Sequence, residues 1–235
     1  MLIYPYVRYS MIRRSLLFVA IAFIFFSCGI DDIVYLEPPK LIHSPSGHPH
    51  NDAQKYFEFK TSDVENLTAS VGSVFKGFEV YYRIYESETD CENVIKNMVK
   101  YTETNPVNSV NYLFSSHNYK LLSHSNHSYQ NKPIIKASTA SPPNDRLVKF
   151  RLEDVDSFPS DFTVAGSKAG NTKRQNGEEF AAAKRGDYDV QSSSNPSDDS
   201  FYVAVFASAY GYDLSFKPIY SELVSLGYVK IKKNP

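Results

Sequence analysis

From about residue 36 onward, apolar and polar residues alternate with the period of two that puts every second side chain on one face of a strand. The pattern is clearest in FEVYYRIYE, where Phe78, Val80, Tyr82 and Ile84 share one face and Glu79, Tyr81, Arg83 and Tyr85 share the other. The first face is expected to meet a core and the second to meet solvent, so Glu79 is expected to tolerate substitution. FYVAVFASA repeats the pattern with Phe201, Val203, Val205 and Ala207. Shorter strands are predicted at YFEFK (56–60), YLFSS (112–116), YKLLS (119–123), PIIKAS (133–138), LVKFRLE (147–153) and 162–165. PIY and SELVSLGYVKI close the chain. Pro38-Pro39 before Leu41-Ile42 suits an edge strand, because proline cannot donate to a ladder.

One helix breaks the series. Val94, Ile95, Met98 and Tyr101 recur at helical spacing, with Thr89 as the expected N-cap, Glu92 completing a capping box and Asn105-Pro106 as the stop, which gives a helix over about 89–104. Cys91 lies on the same stripe and reads as a small buried hydrophobe. Residues 61–77 read as a loop. Residues 166–200 read as a long polar insertion, whose only large apolar side chains are Phe180, Tyr188 and Val190. So few apolar groups do not offset the ordering entropy of such a stretch, and it is expected to carry no part of the core.

At the other end of the chain lies a different pattern. Arg13 and Arg14 precede an unbroken apolar run from Leu16 to Phe26, followed by Ser27 and Cys28. A charged start, a short apolar run and a small residue before the cut are the layout of a secretory signal. The uncharged stretch from Ser15 to Ile30 reaches roughly 24 Å as a helix, short of the ~30 Å needed to span a bilayer. With a cysteine just after the cut, this signal resembles that of bacterial lipoproteins. The resemblance implies a lipid thioether on Cys28 and a location in the cell envelope, periplasmic or surface-exposed. Phe25 and Phe26 depart from the Leu and small residue usual before the cut. The resulting division is a signal peptide over 1–27, a tether over 28–35 and a single domain over 36–235.

Taken in order, the strands resemble those of fibronectin type III modules. FEVYYRIY is similar to the third strand, FYVAVFA to the sixth, and YSELV to the lead-in to the seventh. The resemblance implies an all-β, immunoglobulin-like antiparallel β-sandwich carrying one inserted α-helix and a long polar loop. The tryptophan usual on the second strand is absent, since the chain has none, and Leu223 stands where a proline is usual.

Composition narrows the function. Eighteen Tyr and sixteen Phe fit a strand-rich core. The net charge is −1 and becomes more negative once Arg8, Arg13 and Arg14 are removed, which argues against nucleic acid as a partner. If Cys28 carries lipid, Cys91 has no partner and no internal disulfide forms. The Gly-x-Ser-x-Gly, His-Glu-x-x-His and Gly-x-Gly-x-x-Gly patterns are missing, so no catalytic residue and no cofactor are assigned and the chain is read as not an enzyme. His43, His48 and His50, with His117, His124 and His127, come closest to a ligand set, but no Cys or acidic spacing reinforces it and no metal site is assigned. Arg185-Gly186-Asp187 resembles the adhesive tripeptide by which matrix proteins bind integrins, and is a candidate partner-binding site. The function expected from these features is a membrane-anchored exported lipoprotein, a non-catalytic binding or adhesion module showing its loops to a protein or glycan partner. The alternative is a periplasmic metal- or solute-binding lipoprotein.

Overall fold

Two long strands, β3 (Phe75–Tyr85) and β11 (Ser200–Tyr212), pair antiparallel at the centre of the structure, with Ile84 opposite Val203 and Val80 opposite Ala207. The computed structural model describes residues 35–47, 50–69, 74–213 and 215–233. Cys28 and the apolar run before it lie outside these residues, as does His48. Along its other edge β3 is lined by β6 (Ile135–Lys136), β4 (Lys120–Leu121) and the parallel β10 (Val190–Gln191). The far edge of β11 carries β13 (Val224–Lys232) and β12 (Pro218–Tyr220).

A second sheet runs in the order β1 (Lys40–His43), β2 (Phe57–Lys60), β7 (Leu147–Phe150), β8 (Asp161–Val164), β9 (Ser167–Lys173) and β5 (Ser123–His124). Its pairings are antiparallel throughout. Phe57, Phe150 and Phe162 sit opposite one another and stack across it, with centroids 5.2 and 5.3 Å apart. His124 extends the stack at 5.3 Å from Phe162, reaching over β9 where Gly170 leaves room. A Cβ at position 170 would stand 2.8 Å from His124 Nδ1. These rings face Phe78, Val80, Tyr82 and Ile84 of β3 and Phe201, Val203 and Val205 of β11, and the two sheets bury one core between them. The architecture is mostly β with antiparallel sheets, as the alternation predicts.

The expected helix forms as α2 (Glu88–Thr104), but the third layer it makes with the shorter α3 (Ser109–His117) over the outer face of the β3 sheet was not expected; a still shorter helix, α1 (Asp63–Thr68), lies within the stretch read as a loop. Cys91, Met98, Val110 and Leu113 pack there against Tyr81, Tyr85, Tyr202 and Phe206. Ser87, not Thr89, is the N-cap of α2, its hydroxyl accepting from the Asp90 N–H at 3.4 Å. YLFSS is helical rather than extended, because Val110 and Leu113 recur at helical spacing and Asn118 ends the turn in the left-handed region at φ 51°. With helices on top, β3 is buried on both faces. Glu79 is 2% exposed and Arg83 5%, so the expected solvent face does not exist.

The polar insertion is likewise corrected. Residues 167–173 form β9 inside the second sheet, Val190 lies in β10, and Phe180 is fully buried against Tyr82 at 4.9 Å between centroids. One Phe and a strand suffice because the strand borrows its partners from residues far away, so the segment does not have to bury itself unaided. Among the described residues no helix is long and apolar enough to cross a membrane.

Burial raises the Glu79 pKa from 4.5 to about 8. The folded chain therefore keeps a proton that the unfolded chain releases above pH 4.5, and stability falls as pH rises between these values, by up to ~1.4 kcal/mol per pH unit. Glu79→Gln should remove that slope. In chemical denaturation it should match the wild type below the lower value and exceed it by a few kcal/mol above the upper one. Parallel pH profiles of the two proteins would show that the carboxyl is not shut in.

Candidate functional site

Edge strand β13 sets the geometry of a cleft about 500 Å³ in volume. Lys233 N–H donates to Asp199 O on the β11 side at 2.9 Å. Main-chain groups of an antiparallel strand alternate in direction, so those of Tyr228, Lys230 and Lys232 point away from β11 and into the cleft. The alternation GYVKIK puts Val229 and Ile231 in the core and leaves Lys230 and Lys232 exposed. Before Tyr228 the edge is closed: Gly227 has φ +89°, and the hydroxyls of Ser44 and Ser46 occupy the space a side chain would need.

The walls are charged and tied together. Tyr228 Oη donates to Glu88 Oε1 at 2.9 Å and Glu92 Oε1 at 3.0 Å, latching the start of α2 to the strand. Burial raises the Tyr228 pKa, and the hydrogen bonds to Glu88 and Glu92 raise it further, so the hydroxyl stays a donor. Across the cleft, burial raises the Glu153 carboxyl pKa, opposed by the Lys232 main-chain N–H and the nearby Lys55. Lys55 is itself held by Asp52 at 2.6 Å. Glu153 therefore blunts one end of the edge, while the outward N–H and C=O groups of Tyr228 and Lys230 meet no main-chain partner among the described residues.

Arg185-Gly186-Asp187 lies at an exposed turn, where Gly186 has φ +89°. Asp187 Oδ2 accepts from Arg174 Nη2 at 2.7 Å and from the Lys184 N–H at 3.1 Å, and Arg185 reaches Glu86 at 3.3 Å. Asp187 thereby joins a buried network. Arg174, fully buried, also pairs with Asp189, whose Oδ2 accepts from the Tyr82 hydroxyl at 2.6 Å. Burial works against the Arg174 charge, but hydrogen bonds to Asp189 and Asp187 more than offset it and hold the guanidinium charged.

The described histidines do not converge as one group. His43 stacks on Tyr56 at 3.9 Å and binds Tyr56 O and Gln54 Oε1, and His50 is exposed. His117 meets Tyr112 edge-on. Among the described histidines only His124 and His127 come together, with centroids 5.3 Å apart across a tight turn. Burial, and then His127, lower the His124 pKa to about 4, so its imidazole stays neutral. Among the described residues no three His, Cys, Asp or Glu are grouped to hold a metal ion.

No protein-family model matches the chain, and neither a curated protein nor a solved structure matches it.

The cleft was missed in the sequence, although the lysines alternating with core residues in GYVKIKK are the mark of an edge strand. The Arg174 network left no sequence signal beyond isolated charges in a polar stretch. Arg174→Met should cost about 3–5 kcal/mol, because it strands Asp189 as a buried charge and leaves half-buried Asp187 without its cation. Arg185→Met removes an exposed arm from the buried Glu86, which the Ser193 N–H still holds, and should cost clearly less than Arg174→Met. Denaturant midpoints measure both, and equal losses would mean the network is not what holds the segment.

Proposed function

We propose that the chain is an exported lipoprotein, anchored in the cell envelope through Cys28, whose domain is a non-catalytic binding module of the immunoglobulin-like, fibronectin type III-like kind. Supporting the fold assignment is the pairing order: β3 and β11 lie side by side with β13 beyond β11, while β1, β2 and β7 lie together in the facing sheet. The three-layer arrangement with α2 and α3 is an elaboration of that scheme. The binding reading rests on one observation, the open main-chain edge of Tyr228 and Lys230 inside a walled cleft. Such an edge takes an extended segment of a protein partner as an added strand: main-chain hydrogen bonds supply affinity and the walls supply selectivity.

Two experiments test this. Cells fed radiolabelled palmitate should label the wild type, while Cys28→Ala should lose the label and accumulate as precursor; an equally labelled variant would remove the anchor from the proposal. Separately, Lys230→Pro deletes the outward N–H while leaving the β11 ladder intact, since proline is tolerated on an edge. A photo-crosslinker placed at Asp199 in intact cells should trap a partner peptide in the wild type. The trapped species should vanish in Lys230→Pro, whose melting temperature should stay within a few degrees. An unchanged adduct would show that the edge is not the binding surface.

A further inference from the structure

Apart from the β13 cleft, the outer face of the β3 sheet holds a carboxyl for which the fold has no use. Glu79 stands opposite Ser208 in the ladder, is 2% exposed, and has a buried Oε1 with no hydrogen-bond donor. Leaving such a group unpaired is costly, and a folded chain normally supplies a partner. Around it are rings. Tyr81 shares a hydrogen bond with Ser208 Oγ at 2.9 Å and meets Phe114 edge-on at 5.3 Å. Tyr210 lies 5.6 Å from Tyr220 between centroids, and its hydroxyl donates to Tyr212 at 2.7 Å. Lys132 enters the same space, its Nζ 5.4 Å from the centre of Tyr210 and 6.0 Å from that of Phe114.

Ring faces presented to a cation, as those of Tyr210 and Phe114 are to Lys132, are the arrangement by which proteins recognise ammonium groups, and a carboxylate nearby adds the counter-charge. We propose that Glu79 and the rings of Tyr81, Phe114, Tyr210 and Tyr220 form a site for an alkylammonium group, filled in this structure by Lys132 and entered by an external ammonium that displaces it. The exchange is close to balanced for the rings, because one cation replaces another. What an external ammonium gains is approach to Glu79, free of the backbone that restrains Lys132. The groups facing the carboxyl are Lys132 from its loop, Tyr81 and Ser208 from the ladder, and Tyr210 and Tyr220 from the neighbouring strands. After burial, Glu79 is a further cause of the raised pKa values of Tyr81, Tyr210 and Tyr220, and Lys132 pulls that of Glu79 down. Binding of a cation thus expels the Glu79 proton, and affinity rises by up to about tenfold per pH unit below the carboxyl's pKa.

The test uses the full-length chain in detergent and titration calorimetry. Lys132→Ala should bind n-butylammonium at least about tenfold more tightly than the wild type. Adding Glu79→Gln to that variant should abolish the gain, and n-butanol, with the same stem and no charge, should bind neither protein. No gain in Lys132→Ala, equal binding of butanol, or a gain that survives Glu79→Gln would each overturn the site. Should Lys132→Ala fold poorly, the wild type provides a second readout. The Lys132 side-chain methylene resonances, shifted by the rings, should move toward free-lysine positions as n-butylammonium is added, and fixed resonances would overturn the proposal. Nα-acetyl-lysine amide distinguishes the source: binding as tight as butylammonium indicates a partner's lysine side chain, and exclusion indicates a free amine.

Discussion

The ladder between β3 and β11 runs from Tyr85 opposite Tyr202 to Phe75 opposite Gly211, with the facing sheet beneath it and α2 and α3 above. A strand covered on both faces must fill two cores at once. Its inward residues, Phe78, Val80, Tyr82 and Ile84, serve the space between the sheets. Its outward residues, Tyr81 and Tyr85, serve the helices. Tyrosine suits the second role because its ring packs while its hydroxyl finds a neighbour, Ser208 for Tyr81 and Tyr119 for Tyr85.

Double burial also dictates how charges on this sheet are treated. The Arg83 guanidinium is taken up by the carbonyls of Asn118 and Tyr188 at 3.1 and 3.0 Å, the first of them at the end of α3. Glu86 accepts from the Ser193 N–H and meets Arg185. Arg174 and Asp189 neutralise each other below Tyr82. Arg83 Nε and Glu86 Oε1 also lack a hydrogen bond, but those side chains are held through their other atoms, whereas among the described residues none reaches the Glu79 carboxyl.

Much of this was legible in the sequence wherever period and chemistry agreed. The alternation in FEVYYRIYE and FYVAVFASA placed the two central strands and assigned their inward residues correctly. It did not reveal the outward cover, because alternation reports that two faces differ and not what each one meets. Four tyrosines across the two outward faces, at 81, 85, 202 and 210, were the missed signal. The insertion from 166 to 200 was misjudged for the opposite reason. Its composition is polar, but Phe180 and Asp189 borrow a partner, Tyr82, from β3 over long separations, and composition in a window carries no trace of that partner. The cleft at β13 is a similar case, since its walls come from three distant segments.

Long separations have a consequence in time. Tyr81 meets Ser208 across 127 positions and Tyr82 meets Asp189 across 107. A chain delivered from its N-terminus has β3 in hand long before β11 exists, and the entropy of closing so large a loop is spent before any contact repays it. Until the last strands emerge, the apolar face of β3 lacks the partner strand that covers it in the fold. Under the export proposed above, that delay would serve the chain, since a central ladder unable to close early keeps the polypeptide unfolded for translocation.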